Sequence, residues 1–449
     1  MKVCGYNASF CLGKKSNNKD PFGNLFISPP VDSHIDVHNL LSFSIFSEHS
    51  VFIDKQNQCF ALGFNKDLRI NNALPKNILD TENLIQIKPQ NSLKLISSVC
   101  GEYYTLYLFS NESTGKSQLV YMSSSNKNFP CFVHINEQCK NYLFGGYETA
   151  ASVDSEGTIY IINDNTFSSP EKTVIYAKLP NNDIAICVAF CSSLIYVLGC
   201  SGRIFWSPLK KLSFTQCDEL EGIDIVQLSG TYKHCLAVSR DGRVFALGSN
   251  ENGELGIGKS DSSSQKFKQI TSLQKYKIVS ASAGFSHSLF LTSEGTVLAC
   301  GKNDFGQLLL RRGRSDNCQF LPVETTVVSG ASYCIAGNCI SVVFTCDQLP
   351  QNMPNRPIEN PFIKMKMQLD EALESARKLR EENRKLIQQN EMFKNECIRL
   401  QQEISVVREE NAKLKRTSHN DQNGTLKIER PKSSSVVIIN KSNRQESNE

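Results

Sequence analysis

IVQLSGTYKHCLAVSRDGRVFALGSNENGELGIG, residues 225–258, is followed at 278–310 by IVSASAGFSHSLFLTSEGTVLACGKNDFGQLLL. His234 aligns with His287, Asp241-Gly242 with Glu294-Gly295, Gly248 with Gly301, Asn250 with Asn303, Gly253 with Gly306 and Leu255 with Leu308, each pair 53 residues apart. A fixed offset held over so many positions is a repeat, and a period of this length points to a solenoid or a propeller. Within each unit two short β-rich runs, CLAVS and RVFAL in the first, flank an Asp-Gly turn. That pattern predicts an antiparallel hairpin whose central residues both take positive φ.

Working outward, weaker copies appear once the position of His234, eight residues before the turn glycine, is taken as an anchor. The anchors fall at His49, Tyr104, Thr149, Leu194, His234, His287 and Ile340. Gly101, Gly146 and Gly284 each precede an anchor by three residues, where a strand is expected to pass close to a neighbouring backbone. The seventh copy, ISVVFT at 340–345, runs into CDQLPQNMP and lacks the closing strand, while VCGYN at 3–7 has the form of that strand without a beginning. The expectation is therefore an all-β, seven-bladed β-propeller over 1–346, closed by its N-terminal strand and left with few unpaired edges.

The G-x-x-H anchor, the Asp-Gly turn and the L-G-x-N-x-x-G-Q/E-L ending resemble the regulator of chromosome condensation repeat family. The resemblance is specific at 225–310. It implies a seven-fold propeller with a terminal strand swap, and as one activity of the family a guanine-nucleotide exchange factor for a Ran-like or other small GTPase. Such exchange needs no bond chemistry in the factor. The chromatin-bound member of the family carries a basic arm before its propeller; here the first blade strand is expected to begin near residue 3, leaving no room for one. The ultraviolet photoreceptor branch uses clustered tryptophans, whereas Trp206 is the only Trp here.

Beyond the propeller, Pro350, Pro354, Pro357 and Pro361 mark 347–362 as a stiff, extended linker. Met365, Ala372, Leu379, Leu386, Phe393, Leu400, Val407 and Leu414 then recur every seven residues, accompanied by Leu369, Ala376, Asn383, Asn390, Cys397, Ile404 and Asn411. This register predicts a coiled coil over 363–415, about 75 Å long at 1.5 Å per residue. Asn383, Asn390 and Asn411 at a positions favour a two-stranded parallel homodimer, with a heterodimer as the alternative. Glu403 with Arg408, and Glu410 with Lys415, have the spacing of interhelical g-to-e′ pairs. Residues 416–449 read as a disordered tail. Within it SSSVVII, 433–439, resembles a short motif that adds a strand to small ubiquitin-like modifiers, with a chance apolar cluster as the alternative.

Composition narrows the function. Forty-nine Lys and Arg against 45 Asp and Glu make nucleic acid an unlikely partner, and no apolar run approaches a membrane span. Seventeen Cys without a CxxC pair read as reduced thiols, Cys187, Cys191, Cys334 and Cys339 as core, in a cytoplasmic or nuclear protein. The repeat-equivalent His234 and His287 read as structural anchors at the start of inner strands. Asp and Glu before turn glycines read as turn residues. His34 and His38 fall in a blade-connecting loop with nothing to assign them.

No phosphate loop, nucleophile elbow or metal-binding spacing occurs in the sequence, so neither covalent catalysis nor a cofactor is expected. What is left is binding. Arg311, Arg312 and Arg314, between the sixth and seventh blades, are candidate contacts for an acidic partner, weighed against a solvated basic loop. The reading is a non-catalytic protein-interaction platform dimerised by its coil, with the exchange factor as the alternative.

Overall fold

The structure is a computed structural model that describes residues 2–5, 40–47, 49–64, 80–87, 93–111, 113–123, 131–133, 135, 141–163, 175–259, 261–310, 317–325, 329–345 and 361–420. It separates into two compact units, Met1–Lys364 and Met365–Glu449.

The first unit is a β-propeller of seven sheets among the described residues. Blade I comprises Leu40–Ile45, His49–Asp54, Cys59–Phe64 and Asp80–Ile87; blade II, Leu93–Cys100, Tyr104–Asn111, Ser117–Ser123 and Cys131–Val133. Blade III comprises Asn141–Gly145, Thr149–Asp154, Ile159–Asn163 and Ile175–Ala177; blade IV, Ala185–Cys191, Leu194–Gly199, Ile204–Pro208 and Thr215–Gln216. Blade V comprises Ile225–Gly230, His234–Ser239, Val244–Ser249 and Ser263–Gln269; blade VI, Ile278–Ala283, His287–Thr292, Val297–Lys302 and Cys318–Glu324. Blade VII has Tyr333–Ala336 and Ile340–Phe344, and its third strand is Lys2–Gly5. The pairing is antiparallel, with Val3 opposite Val342 and Gly5 opposite Ile340. The N-terminal repeat tail thus joins the last blade.

All seven anchors open the second strand of their blades, not the innermost one. The innermost strands line a small axial cavity of about 30 Å³, with Ser44, Cys100, Gly145, Val188, Gln227, Ala281 and Cys334 contributed by blades I to VII. That volume admits no more than a few water molecules. Hydrophobic core lies between blades: Phe290 and Leu236 share a cluster across V and VI, and Leu289 and Val343 share one across VI and VII. Blade VII packs on blade I through Phe344 and Phe43, whose rings lie 5.7 Å apart.

The hairpin turns differ from the expectation in one respect. Among the described residues of these turns Gly115, Gly157, Gly202, Gly242 and Gly295, with Asn57 in blade I, have positive φ; Asp241 and Glu294 do not. Gly242 N–H donates to Ser239 C=O at 2.9 Å, closing a turn whose final residue alone is left-handed. This is the three-residue hairpin loop with a glycine bulge, not the two-residue loop with two left-handed residues.

The second unit contains most of helix α1, Pro361–Asn420. It starts inside the segment expected as linker and runs past the expected end at 415. Pro361 fits at the first helical position, where its missing N–H has no intrahelical acceptor to lose. No helix among the described residues is long and apolar enough to cross a membrane.

Candidate functional site

The anchors explain how one end of the propeller is held. His49 Nε2 lies 2.8 Å from Thr105 Oγ1, His234 Nε2 2.7 Å from Ser288 Oγ and His287 Nε2 2.9 Å from Ser341 Oγ. Each histidine therefore reaches the residue after the anchor of the next blade. Where the anchor is Tyr104, its hydroxyl instead donates to the C=O of Gly146 in blade III. The Ser partners pass the bond on: Ser288 Oγ donates to Glu254 C=O, and Ser341 Oγ to Gln307 C=O, the equivalent position one repeat later. Burial lowers the pKa of His234 to about 3, with the charges of His287 and Lys233 adding to it, and burial does the same for His287. Both rings are neutral at physiological pH, as structural staples rather than acid–base groups.

The glycine three residues before an anchor has a physical role. A Cβ on Gly284 would lie 2.5 Å from Gly337 C=O of the next blade and 2.6 Å from the His287 ring, and one on Gly101 would overlap the Tyr104 ring. The G-x-x-H spacing thus lets the loop between the first two strands turn tightly over its own anchor.

Those loops converge at one mouth of the axis. Tyr147 N–H donates to Thr231 C=O at 3.0 Å, Glu102 N–H to Tyr147 C=O at 2.8 Å, and Ser192 N–H to Tyr232 C=O. Phe285 N–H donates to Gly337 C=O at 3.0 Å and Asn338 N–H to Phe46 C=O at 2.9 Å. Backbone bonds between blades leave the loop residues little freedom of position.

On this frame sits an aromatic cluster. The Tyr147 ring lies 5.2 Å from Tyr232 and 5.1 Å from Phe285, and Tyr232 stacks on Phe285 at 5.7 Å with 2° between planes. Tyr103 meets the edge of Tyr147 at 6.4 Å. Tyr103 is 43% exposed and Tyr232 39%, so the cluster presents ring surface to solvent. Glu148 is exposed beside it, and the Glu102 carboxylate accepts a bond from Asn338 Nδ2 at 3.2 Å. Burial raises the Tyr147 phenol pKa, and Glu102, Tyr103 and Glu148 push it further the same way. Lys233 Nζ stands 5.1 Å over the Phe285 ring and 4.0 Å from Glu251. The arrangement sets fixed aromatic faces and negative charge side by side.

The opposite end is different in kind. Its acidic side chains are used in bonds within the protein: Asp154 Oδ1 accepts from the N–H groups of Glu156 and Thr158, Asp183 accepts from Ser201, Asp224 pairs with Arg240, and the Ser239 hydroxyl, donating to Asp241, leads in lowering that carboxyl's pKa. Among the described residues no group of three or more His, Cys, Asp or Glu is placed to hold a metal ion.

The residues singled out in the sequence fare unevenly. Arg311, Arg312 and Arg314, like His34, His38 and the segment 433–439, lie outside the described residues. Cys187, Cys191 and Cys334 are buried, and burial pushes each thiol up to about 12; Cys339 is half-buried near the mouth instead of in the core. Within α1, Leu379, Leu386, Phe393, Leu400, Ile404, Val407 and Leu414 are all between 47% and 68% exposed, and Asn383, Asn390 and Asn411 are exposed with them. The side chain of Leu369 lies outside the described residues. Glu403 accepts from Arg399 Nε at 3.2 Å within the same helix.

The mouth was missed from sequence because its members are scattered. The signal was present as a column: the residue two before each anchor reads Ser47, Glu102, Tyr147, Ser192, Tyr232, Phe285, Asn338.

Comparison with known proteins now bears on this geometry. Two family models, both described as the regulator of chromosome condensation (RCC1) repeat, match residues 241–291 and 278–307. This chain carries RCC1 repeats. The propeller resembles Prp20p of Saccharomyces cerevisiae, a structure described with its binding properties to Gsp1p and histones, at TM-score 0.60 and 13% identity over 83% of this chain and 94% of that one. Human WBSCR16 is similar at TM-score 0.59 and 15% identity, covering 76% and 97%. Identities this low carry the fold of an RCC1-repeat propeller and no more. Among curated relatives, human probable E3 ubiquitin-protein ligase HERC6 is 34% identical over 154 residues, 33% of this chain, and human E3 ubiquitin-protein ligase HERC2 is 26% identical over 235 residues, 50% of this chain. The matched stretches span 15% and 4% of those two relatives.

Proposed function

We propose that the protein is a non-catalytic interaction platform whose RCC1-repeat propeller binds a protein partner at the aromatic mouth, and whose helix pairs with a second copy of itself. The observation that carries this reading is the Tyr103–Tyr147–Tyr232–Phe285 cluster, exposed on loops fixed by backbone bonds between blades. Exposed aromatic rings on a rigid frame bind with little entropy left to lose. The exposed seam of α1 supports the second half, since a solvent-facing row of Leu, Phe, Ile and Val at heptad spacing is stabilised by a matching helix. Such a pair would present two mouths per particle, raising avidity for a repeated partner. The cytoplasm or nucleus is the proposed location.

The second reading is a guanine-nucleotide exchange factor, favoured by the resemblance of the repeat and by the fold shared with Prp20p. Two measurements separate them. Photo-crosslinking from benzoylphenylalanine placed at Tyr103 should yield a discrete protein adduct, and the same probe at Glu294, on the opposite end, should not. Release of a fluorescent guanine nucleotide from a panel of small GTPases should be unchanged by the full chain. Acceleration of about tenfold, a barrier change near 1.4 kcal/mol, would instead establish the exchange factor.

A further inference from the structure

The mouth has a chemical bias that narrows its occupant. Three features meet there: phenol and phenyl faces held in place, carboxylates within electrostatic reach of them, and an ammonium group already resting on one ring. Tyr103 and Tyr232 expose ring surface on either side of Tyr147, while Glu102 and Glu148 flank Tyr147 on the blade II and blade III side. Lys233 is engaged on the far side, over Phe285 and near Glu251. That internal pair shows which class of group these rings accept, because the face of an aromatic ring attracts a cation through its quadrupole. It also leaves the Tyr103–Tyr147 side acidic. An anionic side chain there would meet the charges of Glu102 and Glu148, and a purely aliphatic one would draw the exposed Glu148 carboxylate out of water without bringing it an opposite charge.

Resting on the reading of the mouth as the partner-binding surface, we infer that it takes a lysine or arginine side chain from an extended segment of the partner, seated against Tyr103 and Tyr147 beside Glu102 and Glu148. The cation's stem packs on ring surface and its head faces the carboxylates, so binding weakens with salt and is indifferent to the rest of the partner's fold. Lys233 sets the limit of the site, since its charge repels a second cation from the Phe285 side.

The test uses the full chain and four pools of fluorescent peptides of otherwise randomised sequence, each fixed at its central position as Lys, Arg, Glu or norleucine, the last matching the lysine stem without its charge. Binding is read by anisotropy at two salt concentrations. The inference expects the Lys or Arg pool to bind at least tenfold more tightly than the Glu and norleucine pools. Tyr103→Ala should weaken that binding about fivefold or more and Glu148→Gln by a few fold; both residues are exposed, so the variants keep their thermal midpoint. If the Glu or norleucine pool binds as well as Lys and Arg, and Tyr103→Ala still weakens it, the cationic occupant is overturned while the mouth stands as the binding surface. If binding of every pool is unaffected by Tyr103→Ala and Tyr232→Ala, or no pool binds, both the inference and the proposed use of the mouth are overturned.

Discussion

Val342 and Phe344 in blade VII are fully buried, whereas Leu386 and Phe393 in α1, residues of much the same hydrophobicity, are more than half exposed. The propeller covers its apolar residues with the next blade; the described apolar residues at heptad spacing in α1 stay exposed. Burying such a side chain is worth about 1.5–3 kcal/mol, so the residue type that stabilises the fold in one region adds nothing of the kind in the other within a single chain. The two regions also treat polar groups differently. In the propeller His234 and His287 are buried and bonded to the next blade, while in α1 Asn383 and Asn390 stand in solvent at seam positions. One region is complete in a single chain. The other leaves its heptad-spaced apolar side chains exposed, and the proposed second copy would cover them.

The contrast breaks most readily where the propeller depends on a strand from far away in sequence. Removing residues 1–7 strips Lys2–Gly5 from Ile340–Phe344 and leaves a buried strand at an open edge. The expected cost is on the order of 3–5 kcal/mol, as for a large core truncation, read as a lowered thermal midpoint of the propeller with α1 helicity retained. A chain of 8–449 that melts like the full one would mean that blade VII does not need the strand.

Next in size is His287→Ala, which removes the staple to Ser341 and opens a cavity between blades VI and VII. It should cost about 3 kcal/mol in denaturant unfolding, and alanine at an exposed α1 position such as Gln388 should cost nothing comparable. The pH dependence follows with a smaller step for each residue. His234 and His287 have folded pKa values near 3, below the 6.5 of the unfolded chain, so the unfolded state binds more protons between these limits. Their contribution is fully present above pH 6.5 and is lost progressively as pH falls toward 3. From pH 7 to pH 5 the loss should be on the order of 2 kcal/mol per histidine, and His234→Gln with His287→Gln should flatten the profile.

Much of the propeller is legible in the sequence, and the reason is local. The anchors at Tyr104, Thr149, Leu194 and Ile340 are not histidine, yet each opens a second strand, because the spacing to the following hairpin turn fixes where that strand begins. The terminal strand was readable because VCGYN has the form of a repeat ending with no repeat before it. The turn geometry was misjudged at Asp241, since Asp-Gly fits both a two-residue and a three-residue loop, and only the hydrogen bond from Gly242 to Ser239 decides between them. The mouth lay beyond local reasoning altogether. Tyr147 and Tyr232 belong to non-adjacent blades, and nothing in the residues around either one announces that the ring of blades brings them within 5.2 Å. In α1 the helix was legible from its seven-residue apolar period and its ends were not, because the Pro-rich segment before the helix masked a proline that starts it.

The proposed pairing of α1 with a second copy is what would complete the chain's uncovered region. The most direct measurement is the solution mass of the full chain by light scattering, compared with a variant carrying Leu386→Asp and Leu400→Asp. The account predicts twice the chain mass for the native protein and a monomer for the variant, with the propeller's melting transition unchanged between them. A native chain that is monomeric at micromolar concentration would contradict it.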